Sequence, residues 1–147
     1  MWVALFATAL FSTAAGCTAP THIGLPQATG WSSAALPDLL AASPLPDGQN
    51  IRAVALGHTE AMSYHLVQIR DREQPHVHAT HDFTVTLLRG SGHLVVNGEA
   101  HPMRPGDVAV VPHGTPHYFV NDGSAPAVAC ISFAPPYDGT DQVPLAP

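Results

Sequence analysis

Short β-strand patterns separated by turn residues fill the chain from residue 51 to residue 133. Alternate residues from Phe83 to Leu87 are apolar, as in a strand that buries one face. The pair Asn97-Gly98 is typical of a two-residue hairpin between such strands. We predict seven or eight short antiparallel strands, which is the pattern of a β-sandwich or barrel. Fifteen prolines and twelve glycines in 147 residues disfavour a helical bundle.

The net charge of the chain limits the kinds of molecule that it is expected to bind. The chain has five arginines, no lysine and eleven carboxylates, for a formal net charge of −6. A few scattered arginines on an acidic chain match phosphate backbones poorly, so we expect no nucleic-acid partner. Schiff-base chemistry on a lysine is excluded. The two cysteines form no C-x-x-C pair, which disfavours a thiolate zinc site or a redox dithiol.

Histidine is concentrated in the strand-rich part of the chain. Nine of the ten histidines fall between His58 and His117. His76 and His78 are one residue apart, and side chains at i and i+2 of a strand share a face. His117 lies in a second patterned run, which a closed β-structure would bring back to the first. Three imidazoles in one pocket are typical ligands of a transition metal.

The first 50 residues differ from the rest in composition. Residues 1–16 are apolar or small and end before Cys17, which resembles a bacterial lipoprotein signal. Residues 17–50 predict a lipidated cysteine and a mostly irregular linker, with one short helix within residues 33–42. The alternative for residues 1–16 is a buried helix of the mature domain. If Cys17 is not lipidated, a disulfide with Cys130 is an alternative.

The second patterned run resembles a known family motif. Gly106, Pro112, Gly114, His117 and Asn121 match every fixed position of G-x5-P-x-G-x2-H-x3-N, the second motif of the cupin superfamily. The first cupin motif, G-x5-H-x-H-x3,4-E-x6-G, is matched in part. The histidines at 76 and 78 and the glycine at 90 fit, whereas Arg70 replaces the first glycine and the glutamate is missing.

The resemblance implies an all-β fold, an antiparallel double-stranded jelly-roll barrel with a metal site in its mouth. We place the barrel at residues 51–134, after the signal segment and linker, and a C-terminal tail at residues 135–147. It implies one divalent transition metal ion, either Fe, Mn, Zn, Ni or Cu, held by His76, His78 and His117. Pairing of edge strands into a homodimer is compatible with the resemblance.

The fourth ligand stays open at the level of sequence. Counted back from the glycine at 90, Phe83 occupies the place of the missing glutamate; counted forward from His78, Asp82 does. Asp82 is our first candidate, as a ligand or as an acceptor that orients an imidazole. It reaches the metal only if the chain bulges between residues 79 and 82, because Phe83 belongs to the apolar face. His81 is the rival, and a plain turn role for Asp82 is the third option.

Two functions fit these features. The first is a metal-binding cupin with one mononuclear His-rich site that acts on a small molecule, by dioxygenase- or isomerase-like chemistry. The second is a non-catalytic envelope lipoprotein that binds a metal or small ligand. Either protein would be attached to a bacterial membrane only through Cys17, with its barrel in the periplasm or outside the cell.

Overall fold

A computed structural model describes residues 20–27 and 29–146, so the predicted signal segment and Cys17 lie outside the described residues. The elements are β1 (His22–Gln27), β2 (Gly30–Ala35), α1 (Leu36–Ala42), β3 (Ile51–His58), β4 (Ser63–Ile69), β5 (His76–His78), β6 (Asp82–Arg89), β7 (Gly92–Val96), β8 (Glu99–Met103), β9 (Val108–Val111), β10 (His117–Asn121), β11 (Ala127–Ala134) and β12 (Gln142–Pro144).

The ten strands after residue 50 form two five-stranded antiparallel sheets. One has the order β3-β4-β11-β6-β9 and the other β12-β5-β10-β7-β8. The chain passes back and forth between the two sheets, and buried side chains of both sheets form one core between them. This confirms the predicted all-β, antiparallel jelly-roll architecture.

Strand β6 shows why the sequence folds in this way. Phe83, Val85 and Leu87 are buried, while Thr84 and Thr86 between them are only partly covered. The strand lies between β11 and β9, so its backbone is hydrogen-bonded on both edges. The buried side chains join a core supplied by both sheets. The period-2 pattern therefore predicted both the strand and its inward face.

Turns and close approaches place glycine where the fold requires it. Asn97 and Gly98 have φ values of 51° and 84°, which makes a tight hairpin of β7 and β8. Gly92 lies opposite Asn121, and a Cβ there would come within 2.2 Å of the Val120 carbonyl oxygen. Only glycine allows β7 and β10 to pair in this register.

The predicted linker is largely regular between residues 22 and 42. Strands β1 and β2 form a hairpin and α1 follows, with Pro37 in its first turn. Ile23, Leu25 and Leu36 are buried against Leu66 and Val128, on the side of the first sheet that faces away from the barrel core. The expectation of an irregular segment was wrong here because that apolar outer surface needs a cover. The helix itself agrees with the prediction.

The end of the chain also belongs to the sheet. In the predicted tail, β12 pairs with β5, placing Gln142 opposite His78 and Pro144 opposite His76. This pairing covers one edge of the strand that carries the first two histidines. No helix among the described residues is long and apolar enough to cross a membrane.

Candidate metal centre

Three of the four predicted ligands come together inside the barrel. His76 and His78 project from the same face of β5, and His117 begins β10 directly opposite His76. The three side chains are buried, and one ring nitrogen from each lies within 4.8 Å of the other two. Since β5 and β10 are neighbouring strands, the sheet register itself creates this cluster, which we call the triad.

Each of the three rings is oriented by a hydrogen bond at its Nδ1 atom. The Nδ1 atom of His76 lies 2.7 Å from the Gln74 carbonyl oxygen, and that of His117 lies 2.8 Å from the Thr115 carbonyl oxygen. The Nδ1 atom of His78 lies 3.0 Å from Oδ1 of Asp141. A carbonyl or carboxylate accepts only from N–H, so each neutral ring carries its proton on Nδ1. Each Nε2 is therefore left with a free lone pair.

Burial keeps the His78 and His117 rings in the neutral form that binds metal. It lowers the pKa of His117 to about 4, and the nearby His76 and His78 rings act in the same direction. Burial also lowers the pKa of His78, although Asp141 opposes the shift. At neutral pH the His78 and His117 rings therefore offer lone pairs without first having to lose a proton.

Asp141, which lies in the predicted C-terminal tail, accepts hydrogen bonds from His78 and His81. Its Oδ1 accepts from His78, and its Oδ2 accepts from His81 Nδ1, from the Thr80 hydroxyl and from the backbone N–H groups of Thr80 and His81. Burial alone would raise the pKa of Asp141, but these hydrogen bonds outweigh it and hold the pKa well below its usual range. No motif marks this residue, so the sequence analysis missed it.

Asp82, the first candidate for the fourth ligand, does not join the triad. Its Oδ1 accepts from the backbone N–H and from Nδ1 of His113, at 2.8 and 2.7 Å, and more than half of its side chain is exposed. The pairing of β6 with β11 is regular at Asp82 and Phe83, so Asp82 lies on the exposed face of the strand and Phe83 on the buried face. The structure assigns the orienting role considered for Asp82 to Asp141 instead.

His81, the rival candidate, is buried, but both of its ring nitrogens contact acceptors outside the triad. Its Nδ1 contacts Asp141 and its Nε2 lies 3.2 Å from the Pro136 carbonyl oxygen. Burial lowers the pKa of His81, yet the two acceptors outweigh it and the net shift is upward. A ring with an acceptor at each nitrogen favours the imidazolium form, which has no lone pair for a metal.

A cavity of about 200 Å³ opens beside the triad. Its wall is mostly apolar and includes Val67, Leu87 and Phe119, with Glu73 and His65 among its few polar side chains. No arginine of the described residues lines it. The site therefore combines a polar end at the imidazoles with an apolar interior of the size of a small organic molecule.

Glu73 is the second residue that the sequence analysis missed. Its Oε2 accepts from the Phe119 backbone N–H at 2.9 Å, and its own N–H donates to the Phe119 carbonyl oxygen at 2.9 Å. Burial raises the pKa of Glu73, against the opposing effects of His76 and of this hydrogen bond. The only sequence signal was an acidic residue three positions before the H-x-H pair.

The donor set of the triad fits a transition metal ion. Three neutral imidazoles suit Zn, Cu, Fe or Ni, whereas Mg²⁺ and Ca²⁺ prefer oxygen ligands. The buried cluster could hold one such ion at the polar end of the cavity.

Comparisons with known proteins agree with this architecture. Residues 64–133 match the family model described as "Cupin domain". An uncharacterized protein of Aquifex aeolicus (strain VF5) is 39% identical over 95 residues, which cover 65% of this chain and 78% of that protein. L-ectoine synthase of Vibrio campbellii is 25% identical over 95 residues, covering 63% and 74%. The structure of KdgF from Halomonas sp. superposes with a TM-score of 0.58 and 27% identity, covering 63% of this chain and 86% of that one.

Proposed function

Because this chain belongs to the cupin superfamily, we propose that it is a metal-dependent protein acting on a small organic molecule at a mononuclear site. The observation that carries the proposal is the convergence of three buried imidazoles, each oriented through Nδ1 so that Nε2 is free. None of the three Nε2 atoms has a hydrogen-bond donor among the described residues. A divalent transition metal ion satisfies all three at once.

The chain's own residues account for binding and orientation. His76, His78 and His117 hold the ion, while Asp141 and the carbonyls of Gln74 and Thr115 fix the rings. When bound, such an ion supplies Lewis acidity toward a substrate oxygen or lowers the pKa of a coordinated water. The apolar cavity wall limits bulk water around the reacting groups and limits the size of the substrate.

Catalysis is our first choice over simple binding. Three protein ligands leave positions open for a substrate, which is the arrangement of catalytic rather than structural metal sites. Resemblance to a protein named L-ectoine synthase supports an enzyme as well. The alternative is a non-catalytic binding protein, favoured by the absence of the glutamate that completes the first cupin motif.

Metal content tests the first part of this proposal. We expect protein purified from its native host to contain about one transition metal ion per chain by elemental analysis. The double variant His76→Ala/His78→Ala should lose the ion and keep a folded but less stable barrel. His101→Ala is the matched control, because His101 is exposed on β8, outside the triad. Equal metal content in the double variant and the control would refute the proposal.

Turnover separates the two alternatives. The metal-loaded protein should convert a small-molecule substrate, and removal of the ion with a chelator should abolish conversion. If the loaded protein binds a ligand stoichiometrically but converts none of the candidate substrates, the non-catalytic alternative replaces the enzyme.

We also propose that the protein is anchored in a bacterial cell envelope through a lipidated Cys17. The support is the apolar segment at residues 1–16 and the small residues just before the cysteine. Mass spectrometry of the mature N-terminus should find cleavage before Cys17 and a lipid on it. The Cys17→Ser variant should lose both, and an intact Met1 on membrane-free wild-type protein would contradict the proposal.

A further inference from the structure

Glu73 is a carboxylate without a cationic partner in a mostly apolar cavity. The ion pairs among the described residues are all between a histidine and an aspartate, and none includes Glu73. The side chain lines the same cavity as the triad. A carboxylate that is partly shielded from water in a mostly apolar cavity, without an ion-pair partner, is unfavourable for the fold unless it has another use.

The hydrogen bond that Glu73 accepts from the backbone explains only in part why a glutamate occupies this position. Oε2 accepts from the Phe119 N–H, where β10 continues beyond its pairing with β5. The second oxygen has no hydrogen-bond donor among the described residues. A neutral glutamine would accept the same N–H without placing a carboxylate in a mostly apolar cavity. The negative charge and the spare oxygen therefore require a separate explanation.

The cavity also shows which ligands would meet this carboxylate. No arginine of the described residues lines it, so a phosphate or a second carboxylate placed near Glu73 would face an uncompensated negative charge. An ammonium or hydroxyl group would donate to the spare oxygen instead. Hydrogen bonds between charged partners in a dry site are strong and directional.

We propose that Glu73 and the triad form a two-point binding site for a small amphipathic molecule. Its ligand presents a metal-binding oxygen to the open side of the triad and an ammonium or hydroxyl donor to Glu73, with a short apolar chain between them. This inference rests on the proposed metal site and adds the chemical class of its ligand. Glu73 acts as the residue that selects the donor end.

Matched organic acids test the second point of contact. The probes are straight-chain monocarboxylic acids, ω-amino acids and dicarboxylic acids of three to six carbons, titrated by calorimetry into the zinc-loaded protein. All three classes offer one carboxylate to the metal and differ only at the other end. At the chain length that spans the site, we expect the ω-amino acid to bind about tenfold more tightly than the monoacid, and the diacid more weakly than the monoacid.

The Glu73→Gln variant isolates the charge from the backbone support. It should keep its zinc content and have a thermal midpoint no lower than that of the wild type, because Gln still accepts the Phe119 N–H. It should bind the ω-amino acid no better than the monoacid. Glu60→Gln is the matched control, since Glu60 is exposed outside the cavity and its loss should leave the tenfold preference unchanged.

Two results would overturn the inference. One is a panel in which no ω-amino acid binds more tightly than its monoacid at any length. The other is a preference that persists unchanged in Glu73→Gln. Zinc content is measured in every sample, so a protein that binds no zinc refutes the metal site, whereas a zinc-loaded protein without the preference refutes only the role of Glu73.

Discussion

Replacement of Asp141 by asparagine should weaken both the fold and the metal site. The carboxylate is 7% exposed and lies between two histidines, His78 and His81, that are equally shielded. Asparagine preserves the volume but has only one acceptor atom, and its amide points donors at groups that are themselves donors. The variant therefore tests the carboxylate and not the packing of β12.

The expected cost follows from the contacts that are lost. Removing one member of a buried ion pair costs about 3–5 kcal/mol, because the other charge stays buried without a partner. His81 would be left in that position. Asparagine still accepts one hydrogen bond, so we expect about 3 kcal/mol in the free energy of unfolding. Loss of the carboxylate that accepts from Nδ1 of His78 should lower zinc affinity about 10- to 100-fold.

The two effects are measured separately. Urea unfolding in the presence of a chelator reports the stability of the metal-free fold, and competition with a chromophoric chelator reports zinc affinity. Asp138→Asn is the control, because Asp138 is an exposed acid of the same segment whose side-chain hydrogen bonds among the described residues go only to Thr140. An Asp141→Asn protein with the stability and zinc affinity of the control would refute the idea that the C-terminal segment orients the site.

Three further predictions address the fold and its pH dependence. In the presence of a chelator, the free energy of unfolding should fall by up to about 3 kcal/mol from pH 6.5 to pH 4. The reason is that His117 takes up a proton in the unfolded chain, whereas the buried ring, with its pKa lowered to about 4, does not. Urea titrations at a series of pH values should show a flatter slope for His117→Asn. Leu87→Ala should cost about 2–5 kcal/mol by chemical denaturation, since Leu87 is 1% exposed, and a smaller loss would contradict the assigned core. Gly92→Ala should lower the thermal midpoint because its Cβ would meet the Val120 carbonyl oxygen at 2.2 Å, whereas Gly57→Ala, with open space around it, should leave the midpoint near wild type.

The strands and the triad were predictable because their signals are local. The alternation around Val85 identifies a buried face at every second residue, and the H-x-H spacing of His76 and His78 puts both rings on one side of β5. The second motif then supplied His117 through a resemblance and not through geometry. The phase of β6 also argued that Asp82 points outward, as the structure finds.

The N-terminal hairpin was missed for a physical reason. Ile23 and Leu25 alternate over too few residues to distinguish a strand from a linker rich in alanine, serine and proline. What orders them is the apolar outer surface at Leu66 and Val128, which belongs to strands that come much later in the chain. Burial of that surface is a tertiary interaction, and no local pattern predicts it.

The amino-acid sequence alone determined the all-β class of fold, the inward face of its strands and the pairing of His76 with His78, because a period of two and a fixed spacing act within a single strand. His117 followed from the resemblance of the second patterned run to a family motif. Only the tertiary structure decided which carboxylates accompany these histidines. Asp141 reaches His78 across 63 positions of the chain when β12 pairs with β5, and Glu73 enters the cavity when its carboxylate turns back to the Phe119 N–H. These are contacts between segments far apart in the chain, and they exist only once the sheets have formed.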